Sequence, residues 1–203
     1  MVDILGSIDE KIEFNSHLHN TIETMFGSLW ELYFNQKNQD RDSIGNVVLI
    51  KYGKNLPTNL LQNEGFVVFG GNGPIGFYSS YMYEQPKVLV SCRGAASGNV
   101  IYSYPKSFIT NNSLILEDNE KIRYSYLRGL APKVHFEKYS TGSAQPQITI
   151  DNISNIEIPI PTVEVQNCFE KITNPLLMKL EQIRKSNEVL HKLKSLYLQK
   201  FFG

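Results

Sequence analysis

Cysteine is scarce in this chain: Cys92 and Cys168 are the two in 203 residues, and neither lies in a C-x-x-C pair or near a histidine. Zinc sites and disulfide frameworks need closely spaced ligands, so neither is expected. No apolar run reaches the ~20 residues needed to cross a bilayer. The acidic start also lacks the basic and apolar regions of a signal peptide. We therefore expect a cytoplasmic protein with no membrane partner.

Clustered catalytic groups are also missing. The four histidines are dispersed, and no Ser/His/Asp or Cys/His arrangement is evident. Residues 71–76 match G-x-G-x-x-G, but residues 77–83 are aromatic and strand-like, whereas a dinucleotide site needs a helix there. We predict no catalytic residue, no metal and no cofactor. A nucleotide-binding enzyme that uses residues 70–76 is the less favoured alternative.

Net charge is zero, but it is unevenly distributed. Residues 1–45 carry 8 acidic and 3 basic side chains, whereas residues 161–203 carry 4 acidic and 7 basic ones. Proteins that bind nucleic acid tightly by themselves are usually more basic than this. The balance is compatible with sequence reading inside a larger complex whose other subunits supply phosphate contacts.

Each end of the chain repeats apolar residues every seven positions. The predicted seam of the C-terminal segment is Phe169, Leu176, Ile183, Leu190 and Tyr197, interleaved with Ile172, Leu180, Asn187, Leu193 and Phe201. The predicted seam of the N-terminal segment is Ile8, Asn15, Ile22 and Leu29, beside Ile4, Ile12, Leu18, Met25 and Tyr33. Such narrow seams are typical of coiled-coil helices.

The two helical segments superimpose when one is shifted by 168 positions, which places Ile8 on Leu176 and Ile22 on Leu190. An acidic first helix and a basic last helix are suited to pair with each other. Asn15 and Asn187 occupy seam positions, where a buried amide can fix register and orientation. We predict an antiparallel coiled coil, although two core helices of a bundle would share the pattern.

Between the helices, short β-prone runs alternate with Gly, Asn and Pro clusters. The predicted strands are residues 47–50, 66–69, 88–90, 99–102, 113–116 and 156–158, with helical turns near 122–130 and 149–153. The predicted fold class is α+β. One mixed, β-rich domain at residues 45–161, dominated by a curved sheet, is carried between long helices at residues 1–36 and 162–203.

Three loops of this domain are rich in groups that can approach DNA. They are residues 70–76, 91–98 and 138–147. Arg pairs bidentately with guanine, and Asn or Gln with adenine. The candidate DNA-binding residues are Asn72, Arg93, Lys138, Tyr139, Ser143, Gln145 and Gln147. Plain turns share this composition, so each loop alone is a weak signal.

The combination resembles the specificity (S) subunits of type I restriction-modification systems. Three stretches carry the resemblance: residues 5–15 (Leu-Gly-Ser-Ile-Asp-Glu-Lys-Ile-Glu-Phe-Asn), the 70–76 loop followed by Arg93-Gly94-Ala95, and residues 142–148 leading into 156–161 and 164–166. The resemblance implies a non-catalytic target recognition domain that reads half of a split site in double-stranded DNA. It also implies helices that set half-site spacing and dock DNA methyltransferase (modification) subunits, which a restriction/translocase subunit joins.

Length is where the chain departs from this family, whose typical members hold two recognition domains. The chain looks like a half subunit, whether encoded as such or cut from a longer gene. Pairing through the helices would restore the full architecture, so we expect a homodimer or a pair with a different half. Candidates for the methyltransferase interface are Lys179, Arg184, Lys185 and Lys192. The main alternative is a coiled-coil interaction module without DNA selectivity.

Overall fold

The computed structural model describes residues 2–35, 40–142 and 144–202. Along the chain, a long helix precedes a segment of short strands and another long helix follows it. The helices are α1 (Val2–Phe34), α2 (Ile44–Val47), α3 (Tyr124–Val134), α4 (Ile150–Ser154) and α5 (Val163–Phe202). The strands are β1 (Asp40–Ser43), β2 (Leu49–Tyr52), β3 (Phe66–Gly70), β4 (Gly73–Tyr78), β5 (Val88–Ser91), β6 (Val100–Tyr102), β7 (Phe108–Ile109), β8 (Ser113–Glu117) and β9 (Glu157–Ile160). This confirms the predicted α+β class.

The chain forms two units, of which one is a helical pair made of α1 and the part of α5 from Phe169 onward. The side-chain amide of Asn15 donates to Oδ1 of Asn187 at 2.6 Å, and Lys194 Nζ contacts Asp9 Oδ1 at 2.5 Å. Because early α1 residues meet late α5 residues, the helices are antiparallel, as predicted. Asn15 and Asn187, which were predicted at seam positions, also bond to each other.

The buried seam of the helical pair follows the predicted sevenfold repeat only in part. Ile8, Ile22 and Ile183 are buried as predicted. Five other predicted seam residues are exposed instead: Ile4, Met25, Ile172, Leu193 and Phe201. Phe26 is buried in place of Met25, and its ring centroid lies 5.5 Å from that of Phe169. A straight helix of 3.6 residues per turn drifts against a sevenfold repeat, so the buried face moves one position along the chain.

The second unit, residues 36–168, contains three small sheets. Their strand orders are β2-β8-β5-β6, β4-β3-β7 and β1-β9. A shared apolar core joins the two larger sheets through Phe69, Leu89, Ile109 and Ile115, all at most 2% exposed. The prediction of one dominant curved sheet was therefore wrong in number, because the short strands form separate ladders around one core.

The first predicted strand of this domain was wrong at its start. Residues 44–47 form the helical turn α2, closed by a hydrogen bond from the Val48 N–H to the Ile44 carbonyl at 2.8 Å, and β2 begins only at Leu49. Ile44 and Val47 both point into the core from this turn. A short apolar run does not distinguish a buried turn from a buried strand.

Among the described residues, no helix is long and apolar enough to span a membrane.

Candidate nucleic-acid interface

The pairing of the strands collects several connections at one end of the central domain. Strand β3 runs parallel to β7, so the two strands end together. Strands β2 and β5 run antiparallel to β8, with Tyr52 opposite Leu114 and Ser91 opposite Ser113, so both end where β8 begins. The connections that meet here, with the segment that packs on them, are residues 53–54, 71–72, 92–99, 110–112, 136–142 and 144–148. We call this the loop end.

Two of the three predicted DNA-reading loops are joined by backbone hydrogen bonds. Arg93 and Gln147 form an antiparallel bridge. The N–H of Gly94 donates to the Pro146 carbonyl at 2.9 Å, and the N–H of Ile148 to the Cys92 carbonyl at 3.0 Å. Residues directly opposite each other on antiparallel strands place their side chains on the same face. Arg93 and Gln147, both exposed, are therefore neighbours on the surface.

The 3₁₀ turn Phe136–Tyr139 packs closely on the same loop. Gly98 has a φ of +98°, and a Cβ there would lie 2.4 Å from Glu137 Cα, so only glycine fits without movement. The Ser140 hydroxyl donates to the Ser97 hydroxyl at 3.3 Å. Lys138 and Tyr139 are thereby held exposed beside the 92–99 loop.

The predicted loop at residues 70–76 is a hairpin instead. Strands β3 and β4 pair along most of it, and residues 71–72 form the turn. Gly73 adopts a φ of +117°, which favours glycine after such a tight turn. Asn72 alone among the predicted readers lies at this tip, and it is exposed. Of residues 77–83, whose predicted strand-like character argued against a dinucleotide site, only Phe77 and Tyr78 lie in β4, and the described chain forms no helix there.

Six of the seven predicted readers thus lie at one exposed end: Asn72, Arg93, Lys138, Tyr139, Gln145 and Gln147. The seventh, Ser143, lies outside the described residues.

Cations at the loop end have no carboxylate partner within the described part of the chain; they are Lys54, Arg93 and Lys138. Glu137 is the nearby carboxylate, and it faces His135 at 3.4 Å. Two lysines elsewhere in the domain are paired with carboxylates: Lys87 Nζ lies 2.5 Å from Asp118 Oδ1 and Lys106 Nζ 3.3 Å from Glu84 Oε1. Among the described residues, the positive charge of these three side chains at the loop end is therefore not compensated by a bound carboxylate.

Cys92 is buried and forms hydrogen bonds with two neighbouring segments of the loop end. Its N–H donates to the Asn112 carbonyl at 3.0 Å and its thiol to the Asn111 carbonyl at 3.5 Å, while its own carbonyl accepts from Ile148. Burial raises the pKa of the Cys92 thiol, which therefore stays protonated and serves as a donor. Among the described residues, no group of three or more His, Cys, Asp or Glu side chains is placed to hold a metal ion.

Three residues at the loop end were not among the predicted candidates: Lys54, Asn111 and Asn112. The Asn111-Asn112 pair directly before a predicted strand is a turn signal that could have been used. Nothing local to residue 54 indicates its place. It reaches the loop end through a parallel bridge to Thr110, 56 positions further along the chain.

Comparison with known proteins supports the resemblance drawn from the sequence. A family model described as the type I restriction modification DNA specificity domain matches residues 38–191. A putative type I specificity subunit of Mycoplasma pneumoniae is 32% identical, with 58% of this chain and 43% of that protein covered. The EcoprrI specificity subunit of Escherichia coli is 20% identical, with 67% and 37% covered.

Solved structures with similar folds include two S subunits. That of M. genitalium has a TM-score of 0.75 at 21% identity, covering 99% of this chain and 59% of that one. The HsdS subunit of Thermoanaerobacter tengcongensis has a TM-score of 0.50 at 17% identity, covering 98% and 55%. The chain spans about two fifths of the length of its curated relatives. By the match over residues 38–191, this chain belongs to the family of type I restriction-modification DNA specificity domains.

Proposed function

We propose that this chain is the DNA-reading component of a type I restriction-modification complex, and that the loop end is its base-contacting surface. It carries out no catalysis of its own in this proposal and works in the cytoplasm beside host DNA. The observation that supports it most directly is that the predicted readers meet on one surface. Residues far apart in sequence, predicted for their base-reading or backbone-contacting chemistry, lie on one exposed surface with cations that lack carboxylate partners in the described chain.

Arg93 and Gln147 are the central pair of this proposed surface. Arg93 would donate bidentately to guanine O6 and N7, and Gln147 would pair with N6 and N7 of adenine. Since the two residues are bridged, they would read neighbouring bases. Asn72 and Gln145 would be further readers. Lys138, Tyr139 and Ser143 would contact the DNA backbone and fix the orientation of the domain.

The helical pair would set the distance between half-sites and dock the methyltransferase subunits. Met178, Val189 and Leu196 are each more than 60% exposed, and their spacings of 11 and 7 residues place them on one face of α5. Of the predicted interface cations, Arg184 bonds to Glu181 and Glu188, and Lys185 approaches Glu181 at 3.3 Å. Lys179 and Lys192 are the cations on which docking would depend.

Self-pairing is the proposed route to a complete target. Phe14, Met25 and Leu32 on the acidic helix α1 are exposed and have the same spacings of 11 and 7 residues. Two copies joined through the helices under twofold symmetry would read identical half-sites, which makes the target a spaced palindrome. Pairing with a different half would make the target asymmetric.

The test is to co-express the chain with a methyltransferase of a type I system and map modified bases in host DNA by single-molecule sequencing. We expect a methylated, gapped palindrome. Arg93→Ala should lower methylation about 5- to 150-fold, because a bidentate base contact contributes about 1–3 kcal/mol. Arg41→Ala is the matched control, since Arg41 bonds to Glu157 on the β1-β9 ladder and should leave the motif unchanged.

The other outcomes separate the alternatives. A gapped asymmetric motif would retain the reader and replace self-pairing with a different second half. A stable complex that methylates no defined motif would contradict the proposal in favour of a coiled-coil interaction module. Binding of S-adenosylmethionine or a nucleotide to the isolated chain would support the enzyme alternative.

A further inference from the structure

The turn between β7 and β8 is held rigidly at the loop end. The N–H of Ser113 donates to the Thr110 carbonyl at 3.1 Å, which closes a β-turn with Asn111 and Asn112 at its central positions. The N–H of Thr110 donates in turn to the Phe69 carbonyl at 2.9 Å. The turn is thus anchored to β3, the strand that leads into the Asn72 hairpin.

Backbone groups of this turn form hydrogen bonds within the protein, whereas the Asn112 side chain forms none with the described residues. The Asn112 carbonyl accepts from the Cys92 N–H, and the Asn111 N–H donates to the Lys54 carbonyl at 3.1 Å. Gly71 packs against the Asn112 carbonyl, since a Cβ on Gly71 would lie 3.1 Å from that oxygen. The exposed amide of Asn112 has no hydrogen-bond partner among the described residues. Its backbone is held in place, and its amide offers a donor and an acceptor to a ligand.

Lys54 lies on the other side of the same turn. Gly53 passes so close that a Cβ would be 2.1 Å from the Thr110 carbonyl oxygen, and the N–H of Lys54 donates to the Ile109 carbonyl at 2.9 Å. The backbone of Lys54 is therefore fixed while its ammonium group is exposed without a carboxylate partner in the described chain. A cation on a flexible stem is suited to a phosphate oxygen rather than to a base edge.

We propose that Asn112 is a specificity-determining residue that reads an adenine, and that Lys54 anchors the adjacent phosphate. This inference rests on the proposed DNA-reading function and names a feature of the target, an A·T pair within the half-site. Asparagine pairs bidentately with N6 and N7 of adenine in the major groove. Asn112 extends the reading surface from Arg93 and Gln147 toward Asn72, because the turn lies between Cys92 and Gly71.

The test uses the same co-expression with a methyltransferase and the same base-modification map. Asn112→Ala should keep the gapped motif but make one A·T position in each half-site degenerate. Discrimination at that position should fall about 5- to 150-fold, the range of one bidentate base contact. Asn63→Ala is the matched control, because this exposed asparagine precedes β3 and so lies at the opposite end of the β3-β4 hairpin from Asn72.

Lys54→Ala should behave differently. Removal of one phosphate-binding cation should weaken binding by similar factors on all sequences and lower the slope of log affinity against log salt by about one. Binding of the methyltransferase complex to duplex DNA at several salt concentrations measures this slope. Lys54→Arg should restore it, and Lys106→Ala, whose lysine is paired with Glu84, should leave it unchanged.

Three results would overturn the inference. One is an unchanged motif with Asn112→Ala in a folded complex. Another is a uniform loss of methylation by that variant without relaxation of any position. A third is a salt slope unaffected by Lys54→Ala. A wild-type complex that methylates no defined motif would instead contradict the proposed function itself, so the two failures are distinguishable.

Discussion

The two ends of the central sheets differ in how the cations described below are paired with carboxylates. At the loop end Lys54, Arg93 and Lys138 lie exposed without carboxylate partners in the described chain. At the other end, where β8 finishes and β5 begins, Lys87 contacts Asp118. The Tyr83 hydroxyl donates to Glu117 there at 2.5 Å.

This difference separates stability from recognition. Partly buried charges need partners, because an unpaired charge removed from water is costly. Exposed cations cost little when they are left unpaired, and they remain available to an anionic partner. Substitutions at the paired end should therefore change the free energy of unfolding, and cation substitutions at the loop end should change DNA recognition.

Of the substitutions considered, Gly98→Ala should lower the free energy of unfolding most. It tests whether the loop end is rigid. The new Cβ would collide with the Glu137 backbone and occupy a left-handed conformation at φ +98°. We expect a loss of roughly 2–4 kcal/mol in the free energy of unfolding, measured by urea denaturation.

Gly27→Ala on α1 is the matched control for this variant. A Cβ there meets nothing within 4 Å, so the substitution should stabilise the helix by about 0.4–1 kcal/mol. Equal stability of Gly98→Ala and wild type would mean that the loop end yields readily and does not preorganise its side chains.

Tyr83→Phe should have an intermediate effect, confined to the paired end. Burial, followed by the bond to Glu117, raises the pKa of Tyr83, so its hydroxyl stays protonated as a donor. Loss of this charge-assisted bond should lower the free energy of unfolding by about 1.5 kcal/mol. The methylated motif should be unchanged.

Tyr139→Phe at the loop end is the counterpart to Tyr83→Phe. Its side chain is exposed, so the free energy of unfolding should change by less than about 0.5 kcal/mol. A motif altered by Tyr83→Phe, or a large destabilisation by Tyr139→Phe, would break the division between the two ends.

The smallest expected effect concerns pH at the exposed ion pair of Glu84 and Lys106. A hydrogen bond from Tyr81, followed by that from Lys106, lowers the pKa of Glu84 from 4.5. A carboxyl whose pKa is lowered by folding stabilises the protein above its unfolded pKa, and this contribution disappears as the pH falls through the lower folded value. Glu84→Gln should therefore melt slightly below wild type at pH 7 and converge with it in acid.

Titration of Glu84 by NMR checks the cause directly. Tyr81→Phe should move the pKa of Glu84 back toward 4.5, because it removes the largest contribution to the shift. A melting difference between Glu84→Gln and wild type that grows as the pH falls would have the wrong sign for this explanation.

The helical pair was largely predictable from sequence, since its side-chain pattern follows one period. Ile8, Asn15, Ile22 and Ile183 are buried as the sevenfold repeat required. The exchange of Met25 for Phe26 was not predictable, because it depends on which rings pack against Phe169. Local periodicity gives the face of a helix to within about one position, and the partner decides the rest.

Side-chain chemistry alone predicted Arg93, Gln147 and the other candidate readers, but it did not predict their arrangement. That the 70–76 segment would be a hairpin, with only Asn72 at its tip, depended on the pairing of β3 with β4. The positions of Lys54 and Asn112 at the loop end were not predicted, because they come from contacts with residues distant in the chain.

The sequence by itself determined the family, the α+β class, the antiparallel helices and the chemical character of the loops. Each of these depends on local period, composition or motif. The tertiary structure decided which loops share one surface, which cations lack carboxylate partners in the described chain, and that the turn at residues 110–113 and Lys54 lie beside the predicted readers. Strand pairing is a long-range property, set by how separate segments bury one common core, and no local pattern encodes it.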